Sequence, residues 1–182
     1  MGLAAGGLLR NASSSLGVMA VVATMAFGLP ALDRAVRADR PVSRGAPYHL
    51  GGGITVVPPP GAVLDVTGTR PLPDRGTALF RLGAVRYALV VTPYSGDPGT
   101  AAARLRTKLC GTGRCQATDA AGVTGAAGLW AGAVQGPDLA GRYAALVLSH
   151  RLVEATVLGP PSALDGCLPA VSASLSSVRS AR

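Results

Sequence analysis

Two cysteines five positions apart are the residues of this sequence whose type and spacing could support chemistry. Cys110 and Cys115 enclose the four residues GTGR, and the third cysteine, Cys167, stands far along the chain. Two thiols this close can be bridged if their side chains turn toward each other. In an oxidising compartment we therefore expect a Cys110–Cys115 disulfide, and the alternative is two unrelated thiols.

A thiol-based redox enzyme is the catalytic function for which the sequence offers residues. Such an enzyme would need a labile disulfide and a readily ionised thiol at Cys110 or Cys115. The spacing of the two cysteines differs from the C-x-x-C redox motif, so we keep this function as the alternative. Cys167 neighbours Leu164 and Val171 on a predicted helix, and we expect it to be a small buried apolar residue.

Basic residues are densest in the same stretch of the chain. Arg104 and Lys108 are four residues apart and share one side of a predicted helix, and Arg114 follows in the loop. Arg106 points away from the other two helical residues. The cluster formed by Arg104, Lys108 and Arg114 could bind acidic headgroups or an anionic polymer; the alternative is a solvated helix face.

Other chemistries lack suitable residues. His49 and His150 are far apart, no metal-binding spacing of cysteine and histidine is present, and Glu154 is the only glutamate. The GTGR loop follows a helix rather than opening one, so it does not match a phosphate-binding loop. The net charge is +8, but the arginines are scattered and aromatic residues are few, which argues against nucleic acid as a partner. We expect no metal, no cofactor and no enzymatic activity.

An apolar segment near the N-terminus predicts a membrane location. Residues 16–32 read LGVMAVVATMAFGLPAL without a charge, and residues 1–15 form a polar segment before them. Seventeen residues fall at the lower edge of the roughly 17 to 25 that span a bilayer, so an anchor and a cleaved signal both stay open. Asp33 and Arg34 make a poor cleavage region, which favours an uncleaved transmembrane helix.

The two indicators of membrane orientation disagree. Arginines are more numerous after the apolar segment than before it, which by the positive-inside rule would leave the following domain in the cytoplasm. Long C-terminal domains nevertheless translocate despite such flanks, and the segment stands where secretory signals stand. We predict a single-pass protein of the cell membrane with its C-terminal domain outside the cytoplasm.

The rest of the chain predicts one α+β domain. Residues 33–47 carry arginines, aspartates and prolines without a hydrophobic period and are a predicted linker, so the domain should occupy residues 48–182. Apolar runs separated by glycine and proline predict a mostly antiparallel sheet. The predicted strands are 54–57, 62–67, 77–82, 85–92, 129–135, 142–149 and 152–158.

Two helices complete the prediction. Asp97 followed by Pro98 is a good helix entry, and the first helix should run to about residue 109. Ser162 and Asp165 have the spacing of a capping box at the start of the second helix, although Pro169 inside the pattern could instead begin the regular helix. Trp130, the sole tryptophan, is expected in the core.

The order of these elements resembles the PsbP-like α/β/α domain. The stretches GGGITVVPPPGAVLDV and RGTALFRLGAVRYALVV are similar to uncharacterised actinobacterial single-pass membrane proteins, and the similarity covers residues 41–178. The CGTGRC stretch departs from those relatives. The resemblance implies a tethered, non-enzymatic domain with a PsbP-like sandwich and carries over no catalytic or ligand-binding residue.

Together these features predict a membrane-tethered, non-catalytic binding or assembly module of the cell envelope. It would be held at the membrane by residues 16–32. Its partner would be an envelope protein or an anionic envelope polymer, contacted through the sheet or through the basic cluster.

Overall fold

The computed structural model describes residues 39–111, 113, 115–119 and 130–181. The predicted polar segment 1–15, the predicted membrane segment 16–32 and residues 33–38 lie outside the described residues. Among the residues that are described, no helix has both the length and the apolar character needed to cross a membrane.

The described residues form twelve strands and two helices, in the order of an α+β domain. The strands are β1 (Asp39–Pro41), β2 (Tyr48–Gly51), β3 (Ile54–Val56), β4 (Val63–Asp65), β5 (Arg70–Pro71), β6 (Gly76–Leu82), β7 (Val85–Pro93), β8 (Gln116–Asp119), β9 (Gly132–Gln135), β10 (Ala140–Leu148), β11 (Arg151–Gly159) and β12 (Arg179–Ser180). The helices are α1 (Pro98–Cys110) and α2 (Pro161–Ser176). The predicted antiparallel sheet with two helices is confirmed.

All strand pairs are antiparallel and belong to two sheets. The main sheet has the order β1-β4-β6-β7-β11-β10-β9-β8, with β5 also paired to β6, and the small sheet has the order β12-β3-β2. The longest ladder joins β10 to β11 through a two-residue hairpin. Ser149 and His150 have φ angles of 47° and 60°, the positive values that a type I′ turn requires at both positions.

The predicted linker, residues 33–47, enters the sheet within the described part of the chain. Strand β1 pairs with β4, and the Asp39 carboxylate accepts a hydrogen bond from Arg81 at 3.2 Å. All three residues of β1 are exposed, so this strand has no alternation of apolar and polar residues by which the sequence could have revealed it. Strand β1 therefore belongs to the same compact unit as the predicted domain, residues 48–182.

The small sheet and α2 pack against one face of the main sheet. In β7, every second side chain is fully buried on this face, from Val85 and Tyr87 to Leu89 and Val91. Strands β6, β10 and β11 contribute alternate residues to the same hydrophobic cluster, and the small sheet and α2 supply its other wall. We call this the core face.

Helix α1 packs on the opposite face, over one end of the main sheet. Asp97 caps it, because its two carboxylate oxygens accept the amides of Gly99 and Thr100 at 2.8 Å each. Leu105 and two neighbouring alanines are buried against a second cluster that includes Tyr143 and residues of β9 to β11. The predicted start of this helix is confirmed.

Helix α2 differs from prediction at its start. The expected Ser162–Asp165 capping box is wrong: the N-cap is Pro160, which makes no side-chain cap, and Ser162 already lies in the first turn. Two consecutive prolines preset the backbone for helix entry, so a hydroxyl cap is not required. The expected later start at Pro169 is also wrong, because the helix continues through this residue from Pro161.

Candidate functional site

The two predicted cysteines are joined at the C-terminal end of α1. Cys110 is the last residue of the helix, and Cys115 immediately precedes β8. The structure contains a Cys110–Cys115 disulfide whose Cα atoms are 5.1 Å apart. Gly113 has a φ of 72°, a backbone conformation that lets the short loop reverse and that side-chain-bearing residues rarely adopt.

The position of this disulfide on the helix is unfavourable for thiol catalysis. Reactive thiolates are stabilised at helix N-termini or beside cations. Cys110 instead lies at the C-terminal end of α1, where the helix dipole is negative and disfavours a thiolate. The geometry is that of a cross-link between a helix and the strand that follows it.

One member of the predicted basic cluster, Lys108, is ion-paired. The Lys108 Nζ atom lies 3.3 Å from Glu154 Oε2, and this carboxylate side chain is only 16% exposed. Arg106 is ion-paired with Asp119. Arg104 is exposed and forms no ion pair within the described part of the chain, and Arg114 lies outside the described residues.

A buried tyrosine joins β10 to β8 in a contact that sequence reasoning missed. The Tyr143 hydroxyl donates a hydrogen bond to Asp119 Oδ1 at 2.5 Å. Burial first, and then the neighbouring Asp119 carboxylate, raise the pKa of Tyr143 to about 12. A Cβ atom at Gly132 would collide with the Tyr143 hydroxyl and the Thr118 carbonyl, so only glycine leaves room for this contact. The only indication of this contact is that Gly132 lies opposite Tyr143 in the ladder between β9 and β10, and this is a weak signal.

The described residues leave part of the face opposite the core face uncovered. Helix α1 packs on β10, β11 and β8, whereas the outward side chains of β6 and β7 are half-buried or exposed. These side chains meet as cross-strand pairs in the ladder between the two strands. We call them the open face: Thr77, Leu79, Arg81, Arg86, Ala88 and Val90.

The contact between Lys108 and Glu154 marks the border of α1 with the open face. Glu154 of β11 is the cross-strand partner of Val90 on β7. Arg104 lies one helical turn before Lys108, on the same side of α1. The candidate site is therefore the open face with the adjoining side of α1.

His150 is exposed in the hairpin turn between β10 and β11, and Glu154 is ion-paired with Lys108. In the described part of the chain, no group of three histidine, cysteine or acidic side chains could hold a metal ion.

Trp130 and Cys167 both lie at the margin of the core rather than inside it. Trp130 is half-buried against the core cluster, and its indole Nε1 donates to Ser172 Oγ at 3.0 Å. Cys167 is a half-buried free thiol whose sulfur lies 3.3 Å from the Leu164 carbonyl oxygen. Burial raises the pKa of the Cys167 thiol, as expected for a thiol that packs rather than reacts.

Comparison with solved structures gives a likeness of fold. No protein-family model matches the sequence, and no curated protein matches it. The solution structure of cyanobacterial PsbP (CyanoP) from Synechocystis sp. PCC 6803 is similar, at 12% sequence identity and a TM-score of 0.44. The similarity covers 77% of this chain and 98% of that chain. A likeness this distant carries no statement about function.

Proposed function

We propose that this chain is a membrane-tethered, non-catalytic binding module of the cell envelope whose open face receives another envelope protein. One observation carries the proposal: the small sheet and α2 pack against the core face, whereas the outward side chains of β6 and β7 stay accessible beside α1. A sheet face that is left partly uncovered offers a preformed contact surface.

The composition of the open face favours a protein over an anionic polymer. Its centre carries small and apolar side chains, Leu79, Ala88 and Val90, which a polyanion would not desolvate. Arg86 on the open face and Arg104 on the adjoining side of α1 are not ion-paired to a described residue. A partner with an apolar patch bordered by acidic groups would complement this arrangement.

The Cys110–Cys115 disulfide supports a location outside the cytoplasm. Disulfides persist in oxidising compartments and are rare in reducing ones. The bond thus supports the proposed orientation, in which residues 16–32 hold the chain in the membrane and the domain lies on the outer side.

Capture of partners from detergent-solubilised membranes tests the proposed surface. Ala88→Glu places a charge at the centre of the open face and should abolish recovery of the partner. Ala173→Glu adds the same charge at an exposed position of α2 and should leave recovery unchanged. Equal recovery with both variants, or no specific partner with the wild type, would remove the proposal.

Labelling of intact cells with a membrane-impermeant maleimide tests the orientation. After mild reduction, the wild type should gain label that a Cys110→Ser, Cys115→Ser variant lacks. If the wild type is labelled only after lysis and without reductant, the domain lies in the cytoplasm and the envelope location is refuted.

A further inference from the structure

Strand β8 is one of the two edge strands of the main sheet among the described residues. Its four residues pair with β9 from Gln116 opposite Gln135 to Asp119 opposite Gly132. Only Ala117 is half-buried, whereas the other three residues are exposed. So short and exposed a strand gains little from burial, and other interactions must hold it on the sheet.

Two sets of contacts hold β8, one at each end. At its start, Cys115 immediately precedes Gln116 and is bonded to Cys110 on α1. At its end, Asp119 is ion-paired with Arg106 of α1 and accepts the Tyr143 hydroxyl of β10. The disulfide is the one covalent bond among these contacts, so it is the one that a change of redox conditions would remove.

The disulfide borders an open cavity of about 350 Å³. Cys115 lines this cavity together with the ends of β8 and β9, including Gln116 and Gln135. A thiol reductant in this cavity can therefore approach Cys115 from solvent without prior opening of the core. Access of this kind distinguishes disulfides that respond to reductants from buried ones.

We propose that the Cys110–Cys115 disulfide is a redox-sensitive latch on β8. A dithiol reductant attacks the disulfide to form a mixed disulfide, and its second thiol then displaces the remaining cysteine sulfur. Two electrons and two protons pass to the protein, which leaves two cysteine thiols and an oxidised reductant. The start of β8 then detaches from α1 and exposes the backbone edge of β9.

The contacts of Asp119 limit this movement. The ion pair with Arg106 and the hydrogen bond from Tyr143 contain no sulfur and survive reduction. Opening therefore begins at Gln116 and proceeds toward Asp119. The latch is independent of the proposed membrane tether and of the open face on β6 and β7.

Hydrogen exchange of the purified full-length protein, with and without dithiothreitol, tests the latch. Reduction should accelerate exchange in β8 and in the β9 amides that face it by about tenfold to a hundredfold, since the closed loop is far shorter than 15 residues. Exchange in β7 should change less than twofold. Unchanged exchange in β8, or an equal rise throughout the domain, would overturn the proposal.

Two variants serve as controls. The Cys110→Ser, Cys115→Ser variant should exchange rapidly in β8 whether or not dithiothreitol is present. Cys167→Ser removes the free thiol and should keep the full response. If the double variant fails to fold, reduction of the folded wild type still decides, because folding then precedes removal of the bond.

Discussion

The same strands form both faces of the main sheet, but other elements cover the two faces to different extents. On the core face, the small sheet and α2 cover most of the alternate residues of β6, β7, β10 and β11. On the other face, α1 covers the β8 to β11 end, and the described residues leave the open face accessible. One face thus holds most of the hydrophobic core, whereas part of the other stays accessible.

The two faces also differ in how the hydroxyl of a buried tyrosine is bonded. Tyr87 on the core face and Tyr143 under α1 are both 0% exposed. The Tyr87 hydroxyl has no hydrogen-bond partner among the described residues, whereas the Tyr143 hydroxyl is bonded to Asp119. Beside the Tyr87 hydroxyl the core face places the Ser174 side chain, whose own hydroxyl donates to the Val57 carbonyl, whereas on the α1 side the Tyr143 hydroxyl holds β8.

Leucine truncation on the two faces should give the largest difference. Leu89→Ala on the core face leaves a cavity and should lower the free energy of unfolding by about 2–5 kcal/mol. Leu79→Ala on the open face removes a half-buried side chain and should cost about 1 kcal/mol or less. Urea unfolding followed by Trp130 fluorescence measures both, and equal losses would erase the distinction between the faces.

Removal of the Tyr143 hydroxyl and removal of the Tyr87 hydroxyl should have different effects on the free energy of unfolding. Tyr143→Phe loses the bond to Asp119 and should cost about 1–2 kcal/mol. Tyr87→Phe removes an unpartnered buried group and should be neutral or stabilise by up to about 1 kcal/mol. The same unfolding experiment checks both variants. A loss at Tyr87 as large as that at Tyr143 would show that its hydroxyl is satisfied in solution.

Alkaline pH should weaken the α1 side through Tyr143. Its folded-state pKa of about 12 lies above the ordinary value of 10.0, so its contribution is complete below pH 10 and is lost as the pH rises toward 12. Tyr143→Phe should therefore lose less stability than the wild type between these two pH values. Parallel stability curves for the two proteins would contradict the raised pKa.

The cap of α1 should have the smallest effect, and its sign depends on pH. Hydrogen bonds from Thr100 and Gly99 hold the pKa of Asp97 below its ordinary value. Its stabilisation is therefore present above the unfolded-state pKa and is lost as the pH falls through the folded-state pKa. Asp97→Ala should lower Tm at neutral pH, Asp97→Asn much less, and the Ala effect should shrink in acid. A gap in Tm that stays constant with pH would contradict this role.

The sequence predicted the elements that are long and periodic. Strand β7 alternates from Val85 to Thr92, and Asp97 with Pro98 marks a helix start, so local residues suffice to place both. Strands β1, β5 and β12 have two or three exposed residues each, and they are extended because they pair with neighbouring strands. Such elements carry no periodic signal.

The candidate site was predictable only in part, for the same reason. The disulfide joins residues that are close in sequence. The ion-pair partners of Lys108 and Arg106, which lie on α1, come instead from strands β11 and β8. Glu154 is 46 residues from Lys108, so no local pattern could show that this member of the basic cluster is ion-paired. The open face depends on where α1 packs, which the sequence does not reveal.

Photo-crosslinking in living cells tests most directly whether the open face binds a partner. A photoreactive amino acid replaces Ala88 at the centre of the open face or, as the matched control, Ala173 on the exposed side of α2. The account predicts a discrete crosslinked envelope protein from position 88 and none from position 173. No adduct from position 88, or the same adducts from both positions, would contradict a binding function for the open face.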